Sequence, residues 1–383
     1  PDHDPSHARL AVACWLSGDR VCARSEAALA AELGTPAPPQ LGWLLDRAEA
    51  AEGAGSDRDG VEAGGAILPV ALAPIRVDQG GTTQAAETIV SSVNGSALVA
   101  GWNDLRQAGA NGLWRLVGSA SSDGGATWTD TVLRSPRGLA GDFEGDPMVA
   151  TDPRTGRQWV GGVLFGYATG VMGELYVARR QTSGVGFEAP VSILVDRFLL
   201  TAGPRPGLPN TTRLYTAFNR GGQFSDDLGA TWSTVRALDY GIGQFPRVGP
   251  NGQLSVTSWS FPPRYELFRS TDGGATFSAA IPIADRLYLW IVDETAHVPG
   301  SFRVAGLHSF AVDPVNGTLY LVWPDTTGVD GSEENVDLYF TRSTDQGLTW
   351  SVPRVIHGAS SPPRDQFHPV LEVDATGRLH LAF

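Results

Sequence analysis

Short apolar runs alternate with turn-forming Asp, Asn and Gly along most of this chain. One recurring segment reads as an apolar strand, an Asp-x-x-Gly-like turn and a second apolar strand that ends in an aromatic residue. Such runs, bounded by turn residues, predict antiparallel hairpins. The clearest copies are 89–102, 147–162, 246–259, 310–323 and 368–383.

A second motif, Ser-x-Asp-x-Gly-x-Thr-Trp/Phe, follows these hairpins. Its four intact copies begin at Ser121, Ser225, Ser270 and Ser343, and a fifth, around Gly184, lacks the Asp. An Asp in such a turn accepts hydrogen bonds from nearby N–H groups, and Gly adopts backbone conformations that other residues resist. The motif therefore predicts a structural and non-catalytic role for its carboxylates. They are Asp123, Asp227, Asp272 and Asp345.

Each hairpin together with its Ser-x-Asp turn supplies four strands, which make one blade of a repeat fold. The prediction is an all-β, six-bladed β-propeller with four-stranded blades. Five blades are complete or nearly so, and a sixth opens at Gln366. Two alternatives stay open for the sixth blade: residues 66–78 supply its outer strands and close the ring, or the natural protein continues past Phe383.

Residues 1–65 have a different pattern and are predicted as a separate N-terminal segment before a propeller at 66–383. Segments 25–34 and 38–53 have helical spacing and good helix formers, which predicts a helical hairpin. Cys14 and Cys22 flank a turn-like sequence, and a disulfide is preferred over two buried thiols. The absence of an initial Met predicts that a signal peptide has been removed. Together these features predict a secreted, extracellular or periplasmic protein.

The amino-acid composition of the chain excludes some classes of binding partner. The formal net charge is -13, and all 28 basic residues are arginine. This acidic balance argues against nucleic acid as a partner, and the absence of lysine excludes lysine Schiff-base chemistry. No apolar run approaches the roughly 20 residues that a membrane-spanning helix needs.

Strand order separates two ends of the sheets. In a four-stranded meander the Asp-x-x-Gly turns and the Ser-x-Asp turns share one end, named here the turn end. The other end, the loop end, carries the connections between second and third strands and the segments before each first strand. Variable loops on a rigid scaffold are where sites usually form, so the loop end is the predicted binding face.

Candidate residues of the loop end combine carboxylates, imidazoles, arginines and aromatics, a mixture typical of sugar-binding sites. The predicted catalytic residues are Asp104, Glu144, Asp146, His308 and His368. The predicted substrate-binding residues are Arg205, Arg247, Arg264, Tyr265, Trp290 and Arg364. No cofactor is expected. The acidic stretch 325–334 is either a calcium site or a solvated loop, and its spacing, which differs from an EF-hand, favours the loop.

The repeats resemble those of the sialidase superfamily and other Asp-box (BNR-repeat) proteins, over roughly residues 66–383. The resemblance implies an active site on the face opposite the Asp boxes and places the family acid at Asp104. The chain departs from the family pattern elsewhere. Ala85 stands where the resemblance puts the first sialidase arginine, and no tyrosine follows Tyr339.

Several functions remain open at this point. The first is a secreted glycan-active enzyme, either a hydrolase that uses Asp104 and a second carboxylate or a polysaccharide lyase with His308 or His368 as base. The second is a non-catalytic propeller that binds a glycan or a protein. The third is a structural module of a secreted assembly that docks through residues 1–65. The missing arginine at position 85 favours the second and third.

Overall fold

The computed structural model describes residues 84–92, 96–104, 115–138, 142–152, 154–166, 172–182, 184–193, 198–218, 221–239, 241–260, 264–286, 307–330, 333–357 and 365–383. Regular structure in these ranges is β-strand, without a helix. The predicted N-terminal segment, with Cys14 and Cys22, lies outside the described residues.

The strands form consecutive antiparallel sheets, each built in chain order. The first sheet holds β1 (Gln84–Ser92), β2 (Leu98–Asp104), β3 (Arg115–Ser121) and β4 (Thr129–Leu133). The second holds β5 (Phe143–Asp152), β6 (Arg157–Phe165), β7 (Met172–Arg179) and β8 (Val191–Ile193). The third holds β9 (Phe198–Arg205), β10 (Leu208–Phe218), β11 (Gly221–Ser225) and β12 (Arg236–Ala237).

The remaining sheets continue the series. The fourth holds β13 (Ile242–Val248), β14 (Leu254–Ser260), β15 (Arg264–Ser270) and β16 (Ile281–Asp285). The fifth holds β17 (Ser309–Val312), β18 (Leu319–Asp330), β19 (Glu333–Ser343) and β20 (Arg354–His357). The sixth, in the described part of the chain, has two strands, β21 (Val370–Val373) and β22 (Leu379–Ala382).

The first strand of every sheet contacts the first strand of the next sheet, from β1 through β5, β9, β13 and β17 to β21. Sheets that meet in this way, with their first strands side by side, are arranged as the blades of a β-propeller. A complete ring of six blades stays a prediction.

The hydrophobic core lies between neighbouring sheets. Trp159 of β6 packs into the cluster between the second and third sheets, whereas the next residue, Val160, packs between the first and second. Successive side chains of a strand point to opposite faces, so a strand in this fold is buried on both faces. This explains why β2 and β6 are apolar without a clean alternation of polar residues.

The Ser-x-Asp turns have a common hydrogen-bond pattern. In the first sheet, Ser121 Oγ and the Thr127 backbone N–H donate to Asp123 Oδ1 at 2.8 and 2.9 Å, and Thr127 Oγ1 donates to Oδ2 at 2.6 Å. Gly125, at a φ of 92°, donates to Ser121 Oγ. Bonds from Thr127 and Ser121 lower the pKa of Asp123 to about 2. Equivalent bonds surround Asp227, Asp272 and Asp345.

Arg180 supports the second-sheet turn that lacks the Asp. Its Nη2 donates to the carbonyl of Gly184, within that turn, at 3.3 Å. The same nitrogen donates to Ser121 O and Ser122 Oγ of the first sheet, at 3.0 and 2.9 Å. A guanidinium that links two sheets therefore helps to hold the one of these turns that lacks the local carboxylate.

The acidic segment from 325 to 337, expected to be a loop, forms a hairpin instead. Strands β18 and β19 extend through it, and Asp325 pairs in register with Asp337. The prediction of a loop was wrong because the acidic composition hid a continuous strand pairing. The side chains of 326–335 lie outside the described set.

His308 lies just before β17 and is buried between the fourth and fifth sheets. Its Nε2 is 2.8 Å from Thr257 Oγ1, and its ring centroid is 4.9 Å from that of Tyr265. Burial, and after it the charge of Arg286, lowers the pKa of His308 to about 3. The imidazole is therefore neutral in the folded protein at ordinary pH, and it functions as a packed core group.

We expect Asp227→Ala to lower the free energy of unfolding by about 1–2 kcal/mol, because the N–H and O–H groups of Thr231 and the O–H of Ser225 lose their acceptor. Urea unfolding at neutral pH measures this. The control is Asp239→Ala, an exposed aspartate that should change stability by less than about 0.5 kcal/mol. Equal losses in both variants would contradict the structural role of the turn.

We expect His308→Gln to flatten the acid sensitivity of stability. In the unfolded chain the histidine takes up a proton near pH 6.5, whereas folded His308 resists protonation down to about pH 3. Stability therefore falls as the pH drops through this window, by up to about 1.4 kcal/mol per unit. Urea titrations at pH 7, 5.5 and 4.5 test this, with His380→Gln, an exposed histidine, as control. A His308→Gln variant that keeps the wild-type slope would refute the assignment.

Candidate functional site

Charged side chains are buried at the loop end of the first two sheets. Asp104 ends β2, Arg115 begins β3, and the two are cross-strand partners. Arg115 donates from Nη1 to the backbone carbonyl of Asp142, which precedes β5. Asp104, Arg115 and Asp142 are all buried. Buried charges are tolerated where they are paired, so this end of the interface is held by polar contacts where the apolar core stops.

Glu144 of β5 lies in the same buried cluster. Arg134 Nε is 2.6 Å from Glu144 Oε2, and Arg115 Nε is 3.9 Å from it. The backbone N–H of Ser135 donates to Oε1 at 3.0 Å. Burial raises the pKa of Glu144, although Arg134 and the bond from Ser135 act in the opposite direction. Glu144 is therefore a carboxyl group that retains its proton to higher pH than an ordinary glutamate.

The segment 134–138, which leads from the first sheet to the second, is held down by a second buried acid. Arg137 Nη1 donates to Glu174 Oε2 at 2.8 Å, and Ser135 Oγ donates to Glu174 Oε1 at 3.1 Å. The side chains of Arg134 and Arg137 are 41% and 49% exposed, whereas both glutamates are buried. Two guanidinium groups are thus positioned at the surface by carboxylates beneath them.

Sequence reasoning missed Arg134 and Arg137. They lie in the connection between β4 and β5, and topology places such connections at the loop end. Their position in the chain is therefore a signal that could have indicated them. The acids that position them come from distant strands, and no local pattern indicates these pairs.

Asp146 lies on β5, the strand that follows this segment in the chain. The strand pairing shifts between Gly145 and Met148, and Asp146 takes a positive φ of 50°. Its side chain is half-buried. Phe143, at the start of the same strand, is the cross-strand partner of Phe165, and their ring centroids are 5.5 Å apart. A carboxylate and a half-buried aromatic pair therefore share the loop end of the second sheet with the two arginines.

His368 occupies the equivalent position on the sixth sheet. Asp146 and His368 each stand six residues before a turn aspartate, each precedes a proline, and His368 has a φ of 53°. The imidazole contacts Phe367 edge-on, with centroids 5.3 Å apart. Partial burial lowers the pKa of His368 below the usual value for histidine. Equivalent backbone positions in the second and sixth sheets thus carry a carboxylate in one case and an imidazole in the other.

Arg264 begins β15 at the loop end of the fourth sheet, with its Nε 3.5 Å from Asp285 Oδ1. Tyr265, the next residue, points the other way and is fully buried against Trp323. Arg286 is also buried, with its guanidinium carbon 4.8 Å from the ring centroid of Trp259. In this conformation Arg264 reaches solvent and Tyr265 does not.

Two arginines predicted at the loop end lie elsewhere. Arg205 is the last residue of β9, at the turn end, with its Nη2 3.5 Å from Asp226. Arg247 lies near the turn end of β13 and donates to Glu372 of β21 at 2.8 Å. Their predicted placement before a first strand was wrong because β9 and β13 begin several residues earlier than the apolar pattern indicated.

The structure does not describe two of the predicted substrate-binding residues. Trp290 and Arg364 lie outside the described residues. Among the described side chains, no group of three or more His, Cys, Asp or Glu is arranged to hold a metal ion. Nor does the described part of the chain contain a helix long and apolar enough to cross a membrane.

Comparison with known proteins assigns no family. No family model matches the chain, and no curated protein matches it.

Solved structures with a similar fold include sialidases. The Hadza microbial sialidase Hz136 is 18% identical, with a TM-score of 0.46, over 75% of this chain and 60% of that one. A Trypanosoma rangeli sialidase with the inhibitor DANA is 16% identical, with a TM-score of 0.45, over 77% and 51%. The Ruminococcus gnavus intramolecular trans-sialidase with oseltamivir carboxylate is 13% identical, with a TM-score of 0.48, over 77% and 89%. The chain thus spans between half and two thirds of the first two proteins, and such distant similarity assigns no activity.

Proposed function

We propose that this chain is an Asp-box, sialidase-like propeller that acts outside the cytoplasm and binds a glycan at the loop end of its second sheet. The observation that carries the proposal is the positioning of Arg134 and Arg137 at the surface by the buried Glu144 and Glu174. Guanidinium groups held in place lose little conformational entropy when they bind a ligand, which favours recognition of polar groups at fixed positions.

The neighbouring side chains complete a surface suited to sugars. Arg137 has donors beyond the Nη1 that bonds Glu174, and these can reach sugar hydroxyl or carboxylate oxygens. Asp146 supplies a carboxylate acceptor for hydroxyl groups. Phe143 and Phe165 supply apolar surface against which a sugar ring can pack. Donors, acceptor and aromatic surface all belong to one sheet and the segment that leads into it.

Charge limits the glycan class. The chain has a formal net charge of -13, which repels densely anionic polysaccharides. The local arginines accommodate an isolated carboxylate, since a planar guanidinium matches that group. Neutral oligosaccharides and those with single acidic sugars are therefore the proposed ligands.

We expect Arg137→Ala to weaken binding roughly tenfold, which corresponds to about 1.4 kcal/mol. A panel of neutral, sialylated and uronate-containing oligosaccharides is first screened by glycan array, and the strongest binder is then titrated calorimetrically. The control is Arg342→Ala, which removes an exposed arginine near the turn end. The proposal fails if no oligosaccharide binds, or if both variants bind as wild type does.

A second candidate function, glycoside hydrolysis, is favoured by Glu144. A general acid must hold its proton near working pH, and burial moves the pKa of Glu144 in that direction. Asp104, buried in the same cluster, would be the second carboxylate. A tyrosine nucleophile at Tyr339 is disfavoured, because burial and then Asp325 and Asp337 raise the pKa of its hydroxyl. Since Glu144 is enclosed, hydrolysis requires Arg134 to move aside.

If Glu144 is the general acid, Glu144→Gln abolishes release of fluorophore from fluorogenic glycosides, and wild-type turnover declines as the pH rises through the raised pKa. Turnover across a panel of such glycosides between pH 4 and 8 is the measurement. Glu188→Gln, near the turn end of the second sheet, serves as the control. Glycan binding without turnover of any glycoside leaves the non-catalytic function, and undiminished turnover by Glu144→Gln excludes this residue as the acid.

A further inference from the structure

Ser135 forms hydrogen bonds with both of the buried glutamates beneath segment 134–138. Its backbone N–H donates to Glu144 Oε1 at 3.0 Å, and its hydroxyl donates to Glu174 Oε1 at 3.1 Å. The serine itself is only 4% exposed. A buried polar network whose members are satisfied rigidifies the structure around it, so Ser135 is a fixed point of this surface segment.

Arg137 is bonded to this fixed point in two ways. Its backbone N–H donates to Ser135 Oγ at 3.1 Å, and its Nη1 donates to Glu174 Oε2 at 2.8 Å. One hydroxyl can accept from Arg137 and donate to Glu174, because it has one proton and two lone pairs. The bonds therefore close a ring through the serine hydroxyl, the carboxylate and the arginine. This ring restrains both ends of the arginine side chain.

The local sequence, Ser-Pro-Arg-Gly over residues 135–138, favours this geometry. Serine in the first position, proline in the second and glycine in the fourth are typical of a type I β-turn. The turn is closed by the Gly138 N–H, which donates to the Ser135 carbonyl at 3.0 Å. A Cβ atom at position 138 would lie 2.5 Å from Glu144 Oε1. Glycine at this position therefore lets the turn lie directly on the buried carboxylate.

We propose that Ser135 is a positioning residue for glycan binding, and that its hydroxyl, together with Glu174, holds the guanidinium of Arg137 in the orientation that meets the ligand. This inference rests on the proposed function and names a buried side chain that acts through Arg137. An arginine that is already held loses less conformational entropy when it binds. Without the hydroxyl, the Arg137 N–H and one oxygen of Glu174 lose a partner, and the guanidinium samples more orientations.

Chemical modification of arginine tests the restraint without any glycan. Phenylglyoxal reacts with accessible guanidinium groups, and mass spectrometry of peptides gives the rate at each arginine, with the exposed Arg236 as internal reference. We expect Ser135→Ala to raise the rate at Arg137 by roughly threefold to tenfold, as expected for the loss of one hydrogen bond. Glu174→Gln, which weakens the same ring from its other side, should also raise this rate.

The matched control is Ser351→Ala. The Ser351 hydroxyl also accepts the backbone N–H of an arginine, Arg342, at 3.1 Å, but it lies in the fifth sheet, so its loss should leave the rate at Arg137 unchanged. An unchanged rate at Arg137 in folded Ser135→Ala overturns the proposal. If that variant does not fold, an unchanged rate in Glu174→Gln overturns it.

A double-mutant cycle separates positioning from a general loss of stability. Its probe is the oligosaccharide that binds most tightly in the glycan array. Ser135→Ala should weaken binding roughly fivefold in the wild type and have no further effect when Arg137→Ala is already present, because the serine acts through the arginine. Equal losses in both backgrounds would contradict the proposal. Absence of binding to every oligosaccharide refutes the proposed function alone, since the modification rates decide separately whether Ser135 holds Arg137.

Discussion

The structure depends on face-to-face packing of sheets that are buried on both sides. Adjacent residues such as Trp159 and Val160 enter different cores, so a strand such as β6 is apolar on both faces. Clusters of charged side chains lie at the two ends of the sheets. At those ends the backbone leaves the hydrogen-bonded ladder, and its N–H and C=O groups need other partners. Both the turns and the charged cluster around Glu144 follow from this requirement.

The two ends meet the requirement differently. At the turn end, a carboxylate such as Asp123 satisfies donors within its own turn, and four sheets repeat the solution almost atom for atom. At the loop end, partners come from separate sheets, as Arg115 and Glu144 do. Repetition at one end gives the fold its regularity, and variety at the other end allows chemical function, as the contrast of Asp146 with His368 illustrates.

Local patterns could be predicted from the sequence, and long-range pairings could not. The Ser-x-Asp turns and the hairpins were predictable because their determinants lie within a few residues of one another. Arg205 and Arg247 were misplaced because the start of a strand depends on the neighbour with which it pairs. The pairing of Arg137 with Glu174 links residues 37 positions apart, and no local motif indicates it. The sequence thus indicated the loop end and named Asp104, Glu144 and Asp146, but it did not indicate Arg134, Arg137 or Glu174.

The turn of the second sheet, which lacks the carboxylate, is tied to another sheet in a way that the Asp-containing turns are not. In the turn built around Asp227, the N–H and O–H donors of Thr231 and the O–H of Ser225 find their acceptor within the turn itself. The turn at Gly184 is completed by Arg180, whose guanidinium also needs Ser121 and Ser122. The contacts of Arg180 with Ser121 and Ser122 can form only when the second sheet docks on the first, so the order of this guanidinium reports assembly of the two sheets.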